Sequence, residues 1–423
     1  MGSISTTASR FASAPYIPPD AIFALTAEYL ADSFPKKVNL GQGAYRDSKA
    51  QPWVLPSVAR SRQLIIDKGL QHEYLPILGL AQFREKAAEL ALGPQSYAAN
   101  RNKIATCQTL SGTGALHLAG RILASCQPAA SSRKVYIPEP TWSNHHLVFS
   151  TLGFDCQTFR YYDPAAKTLD MDSYRATLDA ADPGSIVVLH ACAHNPTGLD
   201  PTPAQWREIG AIMKQRGLFP LFDAAYLGFN SGDLDQDAFA IRHFVTELEL
   251  EAAVCLSFAK NMGLYELTWM GVSVGERVGC LVLATASADI AVNSQSLLES
   301  LQRSEISNPP AFGARIAAGI LADEGLRGLW AEDLKTMSGR IQSMRRALHE
   351  GLVRNAAPGN WDHLLRQSGM FGFLGLSAGA VKTLKEKHHI YMAGNSRISI
   401  AGLNADNVAY VARSIAKVLE DEK

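Results

Sequence analysis

Three short apolar runs, each ending in polar residues, constrain this chain more than any other feature. Ser185 to Leu189 leads into His190-Ala191-Cys192-Ala193-His194-Asn195-Pro196-Thr197-Gly198. Leu218 to Phe222 leads into Asp223-Ala224-Ala225-Tyr226, and Ala252 to Leu256 leads into Ser257-Phe258-Ala259-Lys260-Asn261. Near-continuous apolar runs of this length suit strands covered on both faces, the condition of a parallel sheet. A helical pattern over 203–216 separates the first two. Strand, helix, strand with ligand-type residues at the strand ends predicts an α/β sheet with a crevice along its C-terminal edge. On such an edge Lys260 is partly desolvated, which depresses its pKa, makes its amine nucleophilic and puts a Schiff base within its chemistry. A lysine that merely ends a strand in water fits the same residues.

Composition narrows the partners. The 423 residues are too many for one typical core and enough for two. Hydrophobic residues make up 47% and charged residues 19%, the balance of a globular protein. Forty basic and forty acidic residues cancel, so no global field steers the chain toward nucleic acid or an anionic membrane, and a small-molecule partner is expected. Cys107, Cys126, Cys156, Cys192, Cys255 and Cys280 form no C-x-x-C pair. Buried thiols in a reducing compartment fit them better than a disulfide framework or a zinc site, and no metal is expected. No apolar run approaches the ~18 residues of a membrane span. The first fourteen residues carry only Arg10 as a charge and make a poor signal or transit segment, although Met1-Gly2-Ser3-Ile4-Ser5-Thr6 fits the loose myristoylation pattern.

Further motifs precede and follow the three strands. Thr109-Leu110-Ser111-Gly112-Thr113-Gly114-Ala115 opens a helical pattern. Hydroxyls and glycines at a helix start suit an anion such as phosphate, and equally an ordinary N-cap. Lys134 to Pro138 is strand-like and leads to Trp142, whose ring either receives a planar ligand or fills a gap. Gly41-Gln42-Gly43 marks a sharp bend or a close approach to a ligand. In His72-Glu73-Tyr74-Leu75-Pro76 the tyrosine is either an anion donor or a surface aromatic. Helices are expected over 21–34, 81–92 and 288–302, and over 314–346 with an interruption at its glycines. A closing α+β unit combines strands near 370–376 and 396–400 with helices near 380–388 and 405–419.

Ser-Gly-Thr-Gly-Ala from 111, Pro-Thr-Trp from 140, His-Asn-Pro-Thr-Gly from 194, Phe-Asp-x-Ala-Tyr from 222 and Ser-Phe-Ala-Lys-Asn-Met-Gly-Leu-Tyr from 257 occur in one order. With this set the chain resembles the aspartate aminotransferases, pyridoxal-phosphate enzymes of fold type I, from about Phe11 to the C-terminus. The resemblance implies a large domain, 51–330, with a mostly parallel seven-stranded sheet covered by helices on both faces. It also implies a smaller α+β domain from the arm-bearing segment 15–50 and residues 331–423, behind a flexible stretch 1–14.

It further implies a chemistry. Lys260 would carry pyridoxal phosphate as a Schiff base and move the substrate proton as base and acid, with Asp223 keeping the ring nitrogen protonated. Tyr226 and Asn195 would bond the ring oxygen and Trp142 would stack on the ring, with His145 and His190 behind Asp223. Ser111, Gly112, Thr113, Ser257 and Arg277 would surround the phosphate, together with Tyr74 of a neighbouring subunit. Gly43 and Arg397 would receive the α-carboxylate end of the substrate, and Arg303, again from the neighbour, its side-chain carboxylate. The expected protein is thus a cytoplasmic homodimeric transaminase acting on aspartate, glutamate and their 2-oxo acids.

Three departures define alternatives. Glu266-Leu267-Thr268-Trp269-Met270-Gly271-Val272-Ser273-Val274 has no counterpart in the family pattern. It either bulges outward, packs near the site and shifts Arg277, or reflects retained non-coding sequence; a catalytically impaired homologue is the corresponding functional alternative. Gln42 replaces an apolar residue, and 295–305 matches poorly around Arg303, which keeps an aromatic or broad-specificity aminotransferase open. Ser257-x-x-Lys260 also fits the nucleophile and base of a serine acyl-transferase, without that class's Lys-Thr-Gly and Ser-Asp-Asn elements.

Overall fold

The computed structural model describes residues 9–70, 73–126, 133–264, 267–269, 272–274 and 276–422, with only the backbone of 267–269 and 272–274. Seven strands make the central sheet. Numbered along the chain they are β1 Ile104–Leu110, β2 Lys134–Glu139, β3 Asp155–Arg160, β4 Ile186–His190, β5 Phe219–Ala224, β6 Ala252–Ser257 and β7 Val278–Ala284. Their spatial order is β1-β7-β6-β5-β4-β2-β3. β7 runs antiparallel to both its neighbours and the remaining pairs are parallel.

The apolar runs are unbroken because both faces of the sheet are covered. Val187, Leu189, Phe222, Val254 and Leu256 pack into one core, while Ile186, Val188, Leu221, Ala253 and Cys255 pack into another. Successive residues of a strand point to opposite faces, so each run feeds both cores. At roughly 1.5–3 kcal/mol for each fully buried large aliphatic side chain, these strands are firmly anchored.

Helix ends follow local chemistry. Pro203–Arg216 begins at a Thr202–Gln205 capping box and ends at Gly217, whose φ is 64°. The expected interruption of the long C-terminal helical stretch does not fall at its glycines. The helices Phe312–Ala322 and Glu324–Arg354 meet at Asp323, whose side chain accepts from the Leu326 N–H. An N-cap carboxylate stabilises a helix start by about 1 kcal/mol, whereas helical glycines cost a similar amount without forcing a break. Gly351 has a packing reason: a Cβ there would come within 2.8 Å of Ala412.

The two ends of the chain meet. Val38–Asn39 pairs in parallel with Ile390–Tyr391, and Phe371–Phe373 pairs antiparallel with Arg397–Ser399. The division expected between residues 330 and 331 falls inside the continuous helix Glu324–Arg354. Among the described residues no helix is long and apolar enough to cross a membrane. The lipidation pattern at Met1–Thr6 lies outside the described residues, as does His72.

Candidate active site

The crevice along the C-terminal edge collects side chains from β1, β4, β5 and β6. At the end of β1, Ser111 adopts a left-handed backbone with φ 61° and starts the helix Ser111–Cys126. Gly279 on β7 permits this, since a Cβ there would lie 2.4 Å from the Ser111 carbonyl group. Ser111 Oγ lies 2.9 Å from Ser257 Oγ, and a Cβ on Gly112 would stand 3.1 Å from that of Ser257. Thr113 sits in the same first turn. The amides of a first turn lack intrahelical acceptors and carry the positive end of the dipole, so this hydroxyl-lined cup suits an anion.

Three strands along, on β5, lies a buried carboxylate network. Asp223 Oδ2 pairs with His145 Nε2 at 2.9 Å. Thr141 Oγ1 lies 2.8 Å from His145 Nδ1 and 3.0 Å from His190 Nε2. Burial alone would raise the Asp223 pKa, but the hydrogen bond and charge of His145, with His190 and Lys260, hold it below its ordinary value. Burial and the other histidines hold His190 well below the usual histidine range. The crevice floor is therefore an anionic carboxylate backed by imidazoles.

Lys260 follows Ser257 by three residues. Its pKa is lowered to about 8 by burial, then by Arg277 and Arg397, against the opposing pull of Asp223. Tyr226 is buried, and burial followed by the Asp223 charge raises its pKa, so its phenol stays a donor.

Arg397 closes the other side. It donates from Nη2 to the Gly41 carbonyl at 2.7 Å and from Nη1 to Asn195 Oδ1 at 3.3 Å. The Phe371 ring lies 4.4 Å from the guanidinium. Its buried Nε has no hydrogen-bond partner among the described residues. A buried guanidinium with an unused donor is prepared for a planar anionic acceptor, above all a carboxylate. A Cβ on Gly43 would meet Phe371 Cζ at 3.0 Å, which places Gly43 beside the same ring.

Other expected residues lie farther out. Trp142 is half-buried and meets the edge of His145 at a ring separation of 5.5 Å. Tyr74 is 87% exposed. Arg303, in the last turn of the helix Ala288–Glu305, is exposed and donates to Ser307 of its own turn. Gln42 Oε1 accepts from Arg46. Within the insertion, Leu267–Trp269 and Val272–Val274 form a two-stranded antiparallel hairpin, while Glu266, Met270 and Gly271 lie outside the described residues. On either side of it the register is intact: Phe258 N–H donates to the Val278 carbonyl at 3.0 Å, and Gly279 pairs with Ser257. Arg277, exposed, directly precedes that anchored residue.

Sequence reasoning missed Thr141 and Phe371. Thr141 stands inside the Pro-Thr-Trp motif and was within reach. Phe371 carries no local signal, because its meaning comes from its strand pairing beside Arg397.

Residues 35–415 match the family model for aminotransferase class I and II. The cytoplasmic aspartate aminotransferase of Oryza sativa subsp. japonica is 44% identical over 410 residues, covering 97% of this chain and 98% of the relative. The solved aspartate aminotransferase from Saccharomyces cerevisiae cytoplasm superimposes with a TM-score of 0.93 at 43% identity, covering 99% of this chain and 100% of that one. The aromatic-amino-acid aminotransferase from Burkholderia pseudomallei, solved covalently bound to pyridoxal phosphate, gives 0.92 at 37% identity, covering 97% and 100%.

Proposed function

The chain belongs to the class I and II aminotransferase family, and on that premise we propose that it moves an amino group between aspartate or glutamate and a 2-oxo acid, using pyridoxal phosphate held at Lys260. The observation that carries this reading is the crevice itself. A depressed lysine, a buried anionic carboxylate and an arginine with an unused donor meet at one sheet edge.

The residues fit the cofactor's chemistry. The first turn at Ser111, Gly112 and Thr113, with Ser257 and Arg277, would hold the phosphate, where a Cβ on Gly112 would already crowd Ser257. When bound, pyridoxal phosphate supplies an aldehyde that condenses with amines and a ring that draws electrons from the substrate Cα. Asp223, kept anionic by His145, would hold a proton on the ring nitrogen. Asn195 and Tyr226 would donate to the ring oxygen, and Trp142 would cover the ring. Lys260 Nζ takes the proton from the substrate Cα and returns one later, and a pKa of about 8 suits both directions near neutral pH. Arg397 receives the α-carboxylate beside Gly43.

Tyr74 and Arg303 face outward in one chain, and the proposal makes them contributions to the site of a second copy, hence a homodimer. Cytoplasmic residence is proposed on the strength of the rice and yeast relatives. The aromatic or broad-specificity alternative draws on the likeness to the Burkholderia enzyme.

Purified protein is expected to show visible cofactor absorbance and to convert aspartate with 2-oxoglutarate, both abolished in Lys260→Ala. A folded protein that takes up no pyridoxal phosphate overturns the reading. Turnover of aromatic donors far above aspartate overturns the dicarboxylate assignment alone.

A further inference from the structure

Arg345, in the C-terminal third of the helix Glu324–Arg354, is buried, and among the described residues no carboxylate pairs with it. Its donors are spent on one turn. Nη2 bonds the carbonyls of Gly369 at 2.7 Å and Phe371 at 2.9 Å, and Nη1 reaches Gln367 Oε1 at 3.4 Å. Burial lowers its pKa to about 10. A buried cation without an anion is costly, and packing alone would be met more cheaply by an apolar side chain. The cost is offset where a planar fork satisfies carbonyls that secondary structure leaves unpaired.

That turn leads directly to the site. Gln367 continues the bracket, accepting from the Phe373 N–H at 2.9 Å and donating to its carbonyl at 3.0 Å. Ser368 N–H donates to the Gly198 carbonyl at 2.6 Å, and its hydroxyl donates to Asp200 at 3.2 Å. Asp200 also accepts from the N–H groups of Ala193 and His194, so it ties down the loop that presents Asn195. Gly369, at φ 71°, leaves no room for a Cβ, which would stand 2.4 Å from Ala193. Beyond it, Phe371 places its ring over Arg397 and edge-on to Tyr226 at 6.4 Å. Phe373 pairs with Arg397 itself along the backbone.

We propose that Arg345 is a positioning residue for substrate carboxylate binding: it clamps the 367–371 turn so that Phe371 sets the tilt of the Arg397 guanidinium and Ser368 holds the Asn195 loop against it. The inference rests on the reading of Arg397 as the carboxylate site. Arg345 touches no reacting atom and acts through Phe371 and Ser368. A small rotation of Arg397 weakens a bidentate contact steeply, because both hydrogen bonds depend on the plane of the fork.

The test uses holoenzyme carrying Arg345→Lys or Arg345→Met. Succinate binding is titrated through the cofactor spectrum, and KM and kcat are measured with aspartate. For Arg345→Lys the succinate dissociation constant and the KM are expected to rise about tenfold with kcat within about twofold, the pattern of lost positioning rather than lost chemistry. Combined with Phe371→Leu, the effects are expected to be non-additive. Unchanged succinate binding in a variant that melts and holds cofactor like the wild type overturns the proposal, and so does a fall in kcat at constant KM. If the Arg345 variants do not fold, Ser368→Ala must shift succinate binding in the same direction by about threefold; no shift overturns the proposal. Wild-type protein that binds 3-phenylpropionate but not succinate would remove the dicarboxylate assignment while leaving Arg345 testable through 3-phenylpropionate.

Discussion

The crevice residues of the chain, its inner wall, differ from Tyr74 and Arg303, which the proposed function assigns as an outer wall to the site of a second copy, in how completely one chain fixes them. Inside, Asp223, His145, Thr141 and His190 form a bonded series, and Arg397 is fixed by Gly41, Asn195 and Phe371. Outside, Tyr74 stands in solvent and Arg303, among the described residues, bonds Ser307 just past the end of its helix. The inner wall is largely prepared at folding, because most of its polar groups are buried and paired within the chain, while the Arg397 Nε is left open for a ligand. The outer wall carries no such requirement and is free to be completed by another chain. Under the proposed function, the inner wall serves chemistry common to amino acids, and the outer wall selects among them.

That contrast is open to test. The largest effect is expected from Asp223→Ala, which leaves the buried His145 without its partner and the ring nitrogen without its anion. Turnover should fall by about 10³-fold or more, with every donor affected alike. A loss confined to dicarboxylates in stopped-flow half-reactions would break the distinction between the walls. A smaller, selective effect is expected from Arg303→Ala. The kcat/KM for aspartate should drop about 10²-fold while that for an aromatic donor changes little. Equal losses for both donors in steady-state assays would place Arg303 with the inner wall instead.

The smallest effect concerns pH. Unfolded chains keep a lysine proton up to about 10.5, whereas folded Lys260 releases it near 8. Between those values the unfolded state binds more protons, so the penalty for burying this amine, fully present below 8, is relieved as pH rises toward 10.5. The rate at which apoprotein captures pyridoxal phosphate should climb with pH and level off just above 8. A rate still rising at pH 10, followed by absorbance, would show that the inner wall does not tune its lysine.

The part of the inner wall formed by Asp223 and His190 was legible in the sequence because these residues sit at the ends of apolar runs. There, strand periodicity places the backbone and motif chemistry names the side chain, as with Asp223 after Phe222. Legibility failed where meaning depends on distant packing. Phe371 and Arg345 look like an ordinary strand aromatic and an ordinary helix cation until the turn at 367–371 brings them to Arg397. The break expected in the glycine-bearing stretch 314–346 is present, but it falls at Asp323, whose capping carboxylate carries the signal for its position. Under the proposed function, Tyr74 and Arg303 act in a second copy's site, so a single chain carries only half of their context.

The reversed direction of β7 has a consequence for the hairpin beside it. Because β6 ends and β7 begins on the same edge, with Ser257 opposite Gly279, the chain between them leaves and re-enters the sheet at adjacent points. The span to be bridged is set by the spacing of neighbouring strands, whatever the number of residues crossing it. This edge therefore works as a port. Length gained or lost there is expected to leave the Ser257–Gly279 register unchanged.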